Sequence, residues 1–234
     1  MFLPIPLAGQ GGPHPDFTGV WTTYTEPGQA RGGGAGRGGG PPLPFTEEGQ
    51  KKVAAYRALI GDSGATPGGF CLGTGMPGSM LGSGGYPMEI LQRPEQINIT
   101  YEAHNEVRRV YLGDRIVPIA DRIPGRNGHS SGHWEGDTLV VETTHLVEQV
   151  DQRWAHSDQA RIVERYRLTT DTTGAKVLVA EMTLTDPVFY TRPVTETKKW
   201  AYVPNGHLLP YECAEEGWRI HLEQLEKQVK EPKR

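Results

Sequence analysis

The stretch Met88-Glu89-Ile90-Leu91-Gln92-Arg93-Pro94-Glu95-Gln96-Ile97-Asn98-Ile99-Thr100-Tyr101 decides the fold. Two short runs flank the turn signal Arg93-Pro94, and in the second Ile97, Ile99 and Tyr101 alternate with polar residues. A period of two marks a half-buried strand, and two such runs joined by a tight turn make an antiparallel hairpin. The same pattern extends in both directions. It predicts strands over 16–24, 88–92, 96–103, 107–112, 129–134, 138–146, 161–169, 176–185, 195–203 and 208–213, with Val177/Val179 a second clear alternation. His104-Asn105, Gly136-Asp137, Thr173-Gly174 and Asn205-Gly206 supply further turns. The expected fold is mainly β: a closed antiparallel up-and-down barrel of about 8–10 strands with short flanking helices, roomy enough for a small ligand.

Two helices are expected near the ends. One covers 46–60, capped by Thr46, with Glu47 and Glu48 at the positive end of its dipole and Gly61 as its stop. Val53, Tyr56, Leu59 and Ile60 are read as its shared apolar face. The other covers 218–229, with Trp218, Leu222, Leu225 and Val229 on one stripe to pack on the barrel. Residues 1–15 read as an N-terminal tail and 16–234 as one barrel domain with Gly-rich loops at 27–44 and 61–87. The second loop, with Met76 and Met80, is either a flap over a ligand or a surface loop with a few core contacts.

Composition bounds the partners. A chain of 234 residues with 31 Gly and 19 Pro has long loops and enough length to bury a core without a metal or disulfide. Net charge is −4, and no basic stripe suits nucleic acid. No run approaches the roughly 20 apolar residues of a membrane helix, so no membrane insertion is expected. Met1–Leu7 reads as the remnant of a secretory signal, giving an expected periplasmic or secreted location with a cytoplasmic one left open. Cys71 and Cys213 either pair in an oxidising compartment or stay buried as thiols. A homodimer is also left open.

Chemistry concentrates at 128–137, Gly-His-Ser-Ser-Gly-His-Trp-Glu-Gly-Asp. Alternation sets His129, Ser131 and His133 on one face and Ser130 and Trp134 on the other. A two-residue turn at Gly136-Asp137 places Glu142 opposite Ser131, joining two imidazoles and a carboxylate in an acid–base patch. Leu139 and Val141 lie on the Trp134 side and look more core-like, which favours a solvated hairpin instead. On a strand, i and i+4 are about 13 Å apart, so His129 and His133 do not share a metal ion. A second cluster is His156-Ser157-Asp158, and a third holds Tyr190 and Arg192 within 186–193. Each has a plainer reading, as a turn opening a strand or as a Pro-bounded connection. Tyr101, Glu102, His104 and Glu212 are further candidates. No nucleotide fingerprint fed by a strand, Cys-x-x-Cys pair or His-Glu-x-x-His motif argues for a cofactor, so none is expected.

Taken together, 128–141, 156–167, 186–193 and 211–215 resemble a large family of poorly characterised, usually exported bacterial proteins. Their pattern is a Gly-His-Ser-x-Gly-x-Trp-Glu-Gly-Asp-Thr-Leu-Val-Val hairpin followed by His-Ser-Asp-x4-Val-x-Glu-Arg-x-Arg. Gly19-Val20-Trp21 is similar to the Gly-x-Trp mark of lipocalin-type barrels. Pro124-Gly125-Arg126-Asn127 departs from the family's Asp-Pro-Thr-Trp-like stretch. The resemblance implies roles for His129, Ser130, Trp134, Glu135, His156, Asp158, Tyr190 and Arg192. The resulting expectation is a cofactor-independent lyase or isomerase acting on a hydrophobic, aromatic small molecule, such as a lignin-derived dimer, inside the barrel. His129 or His156 would move a proton; Glu135, Asp158 or Glu142 would orient it; Tyr190 and Arg192 would hold an oxyanion. The alternatives are a non-catalytic carrier of an apolar ligand and a metal-dependent hydrolase.

Overall fold

The computed structural model describes residues 14–28, 42–63, 65–82 and 85–230. Nine strands close a barrel in sequence order. They are β1 (Gly19–Thr23), β2 (Met88–Arg93), β3 (Gln96–Tyr101), β4 (Glu106–Leu112), β5 (His129–Glu135), β6 (Thr138–Thr144), β7 (Arg161–Thr170), β8 (Lys176–Thr185) and β9 (Val194–Val203). β9 returns to β1 through pairs from Val20–Val203 to Thr23–Trp200, which closes the sheet.

All neighbouring strands run antiparallel except β4 and β5. There Val110, Tyr111 and Leu112 lie parallel to Ser130, Ser131 and Gly132. A hairpin cannot join parallel strands, so a crossover is required. Residues 113–128 provide it, with 3₁₀ turns at Gly113–Arg115 and Ile119–Asp121. The up-and-down order is therefore broken once, in a barrel whose closure and strand number match the expectation.

Three local expectations are corrected. Residues 208–213 do not form a strand, because the barrel is already closed between β9 and β1 and Pro210 has no N–H to offer a ladder. Helix α3 (Cys213–Lys230) begins where that strand was expected to end. Helix α1 (Glu47–Ile60) starts as expected, with Thr46 Oγ1 accepting from the Gly49 N–H at 3.1 Å. Its Leu59, however, is 82% exposed, because at 3.6 residues per turn it stands about 120° round the helix from buried Val53.

Of the stripe expected on α3, Leu222 and Leu225 are exposed. Cys71 and Cys213 form a disulfide that ties the start of α3 to the loop after α1. Within that loop Met76 and Met80, the latter on the short helix α2 (Gly78–Gly82), are fully buried in the barrel's core. The loop plugs the barrel through these two side chains, while its Phe70 and Leu72 stay exposed.

Register and burial identify the inward rows. β7 and β8 turn Ile162, Glu164 and Tyr166 toward Leu184, Met182 and Ala180. β8 also buries Val177 and Val179 on its other face, so that alternation marks a strand covered on both sides. On β4 and β6 the inward row includes Arg108 and Thr143, both buried. Arg108 and Glu164 form a bidentate ion pair with 1% and 0% side-chain exposure. Arg108 also donates to Ser130 Oγ (3.0 Å) and Thr143 Oγ1 (2.7 Å), and the Tyr166 hydroxyl donates to Glu164 (2.8 Å). A buried charge needs this saturation, since desolvation otherwise exceeds the Coulombic gain. The barrel interior is thus filled by side chains around a polar cluster.

Candidate functional site

The parallel pair shapes the site. Below Val110–Ser130 the two strands part, and the returning crossover leaves a notch of about 300 Å³ in the barrel wall. Tyr111, Arg122, Asn127 and His129 line it, with the backbone turning at Gly128, whose φ is 60°. A Cβ at 128 would stand 2.6 Å from the Thr144 carbonyl oxygen, so glycine is required by both conformation and space.

β5 pairs Ser131 with Glu142 as the turn at Gly136-Asp137 predicts, and His129, Ser131 and His133 share a face. That face is outward: Ser130, opposite buried Thr143, points into the core. His129 nevertheless is only 9% exposed, because the crossover covers it. Its ring stacks on Tyr111 at 5.2 Å and 13°. Its Nε2 is buried and has no hydrogen-bond partner among the described residues, and the same holds for Asn127 Oδ1. Burial, then the nearby Arg122 and His145 charges, lower the His129 pKa below 6.5. The imidazole is accordingly neutral at pH 7. Arg122 spends Nε on the Val117 carbonyl (2.9 Å) and Nη1 on Thr144 Oγ1 (3.2 Å), while its Nη2 has no partner among the described residues.

The other sequence candidates lie elsewhere. Glu135 is at the exposed hairpin tip, where Arg165 (2.7 Å) and His133 (3.2 Å) hold its pKa down. Glu142 is on the outer face, and its bond from Arg161 (2.6 Å) lowers its pKa. Trp134 faces inward at one end of the barrel, stacked on His14 at 4.6 Å. Tyr101 is buried in the core, Asp158 and Arg192 are exposed, and His104 stands at φ 61° against the Tyr211 ring.

His156 and Tyr190 meet at one stretch of backbone. The Tyr190 hydroxyl donates to the Ala155 carbonyl (2.7 Å), and His156 Nδ1 donates to the Trp154 carbonyl (3.0 Å). His156 is fully buried, with Nε2 unpartnered among the described residues and its pKa lowered mainly by burial. In the His-Ser-Asp run, Ser157 rather than Asp158 makes the buried contact, donating through N and Oγ to Asp186 (2.6 and 2.8 Å).

Sequence reasoning missed Arg108, Glu164, Tyr111, Arg122 and Asn127. Arg108 and Glu164 were detectable, because each stands two residues from apolar residues that share its inward row: Val110 for the first, Ile162 and Tyr166 for the second. The notch carried no such signal, since its residues meet only through the crossover. No three His, Cys, Asp or Glu side chains gather into a metal-holding group among the described residues. Comparison with known proteins finds no matching family model, no matching curated protein and no matching solved structure.

Proposed function

We propose that the protein is a cofactor-independent lyase or isomerase that moves a proton on a small aromatic molecule seated in the notch, outside the packed barrel interior. The observation that carries this reading is His129: neutral, held by the Tyr111 ring, lining a cavity, with Nε2 unpartnered. A neutral imidazole near its working pH is a competent general base, and the notch volume suits a single ring. In this reading Nε2 takes a proton from the substrate and returns it to another atom of the same molecule. Arg122 Nη2 steadies the oxyanion that forms in between, and Asn127 Oδ1 accepts from a substrate hydroxyl. The Cys71–Cys213 disulfide supports an exported protein, since such bonds persist in oxidising compartments.

The test is to incubate the protein with hydroxy- and oxo-substituted aromatic compounds, with and without chelator. Turnover insensitive to chelator and reduced at least 100-fold in His129→Ala is expected. Equal turnover by that variant, or binding without product across the whole panel, would overturn the proposal.

A further inference from the structure

Arg109 lies beside the candidate site with its charge unspent. On β4 it occupies the outward row with Val107 and Tyr111, because Arg108 and Val110 take the inward one. It stands two residues from Tyr111, about 7 Å along the strand, so it is the next outward side chain after the ring that holds His129. It lines the notch and is exposed. Its cross-strand neighbour is Asn98, neutral and already accepting from Gln96 Nε2 at 2.6 Å, and the diagonal neighbours Gln96 and Thr100 are neutral too. Arg109 has no hydrogen bond or ion pair among the described residues. Arg161 and Arg165, on the outer row of β7, show the contrast: each is held by a carboxylate, that of Glu142 and of Glu135.

The lining of the notch is short of negative charge. Of its three arginines, Arg108 is met by Glu164, and Asp121, the one acidic side chain in the lining, offsets one of the other two. One cation therefore stays uncompensated. The charges that act on His129 are those of Arg122 and His145, and both are cationic. Val107, Val117 and Ile123 add an apolar wall, and Ile123, 84% exposed, gains most when a ring covers it. A guanidinium presents a planar fork that matches a carboxylate, and a single spare positive charge suits a monoanion.

We infer, resting on the reading of the notch as the substrate site, that it selects aromatic carboxylates. Arg109 pairs with the carboxylate while the ring lies on Val117 and Ile123 beside the His129–Tyr111 stack. Arg109 thus sets specificity and takes no part in proton transfer, and Arg122 Nη2 stays available to the oxyanion.

Phenylacetate and its neutral isostere phenylacetamide separate charge from shape, and acetate removes the ring. Titration calorimetry on the full chain should show phenylacetate binding at least 10-fold more tightly than either. Arg109→Gln, a change at an exposed side chain, should bring phenylacetate down to the level of phenylacetamide and leave phenylacetamide unchanged, and Arg109→Lys should recover part of the difference. Ile123→Ala should weaken both ring compounds about 3-fold. Equal affinity for acid and amide, an acid preference that survives Arg109→Gln, no effect of Ile123→Ala on either ring compound, or no binding of phenylacetate would overturn the assignment. Calorimetry needs no turnover, so a substrate panel that yields no product, with phenylacetate binding still tracking Arg109, would overturn the proton-transfer reading alone. Turnover confined to uncharged aromatics and unchanged in Arg109→Gln would overturn the carboxylate assignment alone.

Discussion

Glu164→Gln removes a charge and little volume, and the structure sets the size of the effect. The glutamate accepts two bonds from Arg108 and one from Tyr166 in a site where both members of the pair are essentially unexposed. Glutamine keeps one acceptor and turns an N–H₂ toward the guanidinium, so Arg108 remains charged, buried and unbalanced. Breaking a buried pair from one side costs about 3–5 kcal/mol. For a chain of this size 1 kcal/mol moves Tm by about 2–4 °C, so a fall on the order of 10 °C is expected. Urea unfolding followed by tryptophan fluorescence measures the free energy directly. The double variant Arg108→Met/Glu164→Leu should cost less than Glu164→Gln alone, because it leaves no orphaned charge. As a control, Glu148→Gln at the exposed pair with Lys52 should change stability by less than about 1 kcal/mol. A Glu164→Gln cost under about 1 kcal/mol, or a double variant less stable than the single, would refute the reasoning.

Other predictions follow from the same structure. Burial lowers the pKa of His129 and His156 below the value of 6.5 they regain on unfolding, so the unfolded chain binds more protons in that window. The stability they contribute is present above 6.5 and lost as pH falls through their folded values; the urea midpoint should drop between pH 7.5 and 5.5, and His156→Gln should flatten the drop. Gly128→Ala forces a side chain onto the Thr144 carbonyl at positive φ, and should cost at least about 2 kcal/mol in urea unfolding while shifting the His129 imidazole resonances. Breaking the Cys71–Cys213 link, 142 residues apart, should cost about 2–5 kcal/mol in Cys71→Ser/Cys213→Ser. Hydrogen exchange should show the loss concentrated at the start of α3, with the barrel strands still protected.

Strand positions were legible in the sequence because period-two patterning and turn residues are local. The Ser131–Glu142 register followed from a two-residue turn alone. The parallel β4–β5 pair was not legible, because nothing local in 113–128 says on which side the chain returns to the sheet. The notch inherits that limit. The strand pattern assigned His129 to the face opposite Trp134, and only the crossover packed over it turns an outward residue into a buried one. Val177 and Val179 show the reverse case, where a clean alternation marks the outer rather than the inner row, because inward-facing Leu178 and Ala180 are apolar as well.

The account rests on His129 being a neutral base that a substrate can reach. Nitrogen-15 NMR of ring-labelled protein, titrated with phenol as the smallest aromatic hydroxyl donor, tests this directly among the eight histidines. The predicted result is a neutral His129 imidazole at pH 7 whose Nε2 resonance moves on phenol addition while that of His133, on the same strand face, does not. An imidazolium at pH 7, or an Nε2 resonance indifferent to phenol at every concentration, would contradict the account.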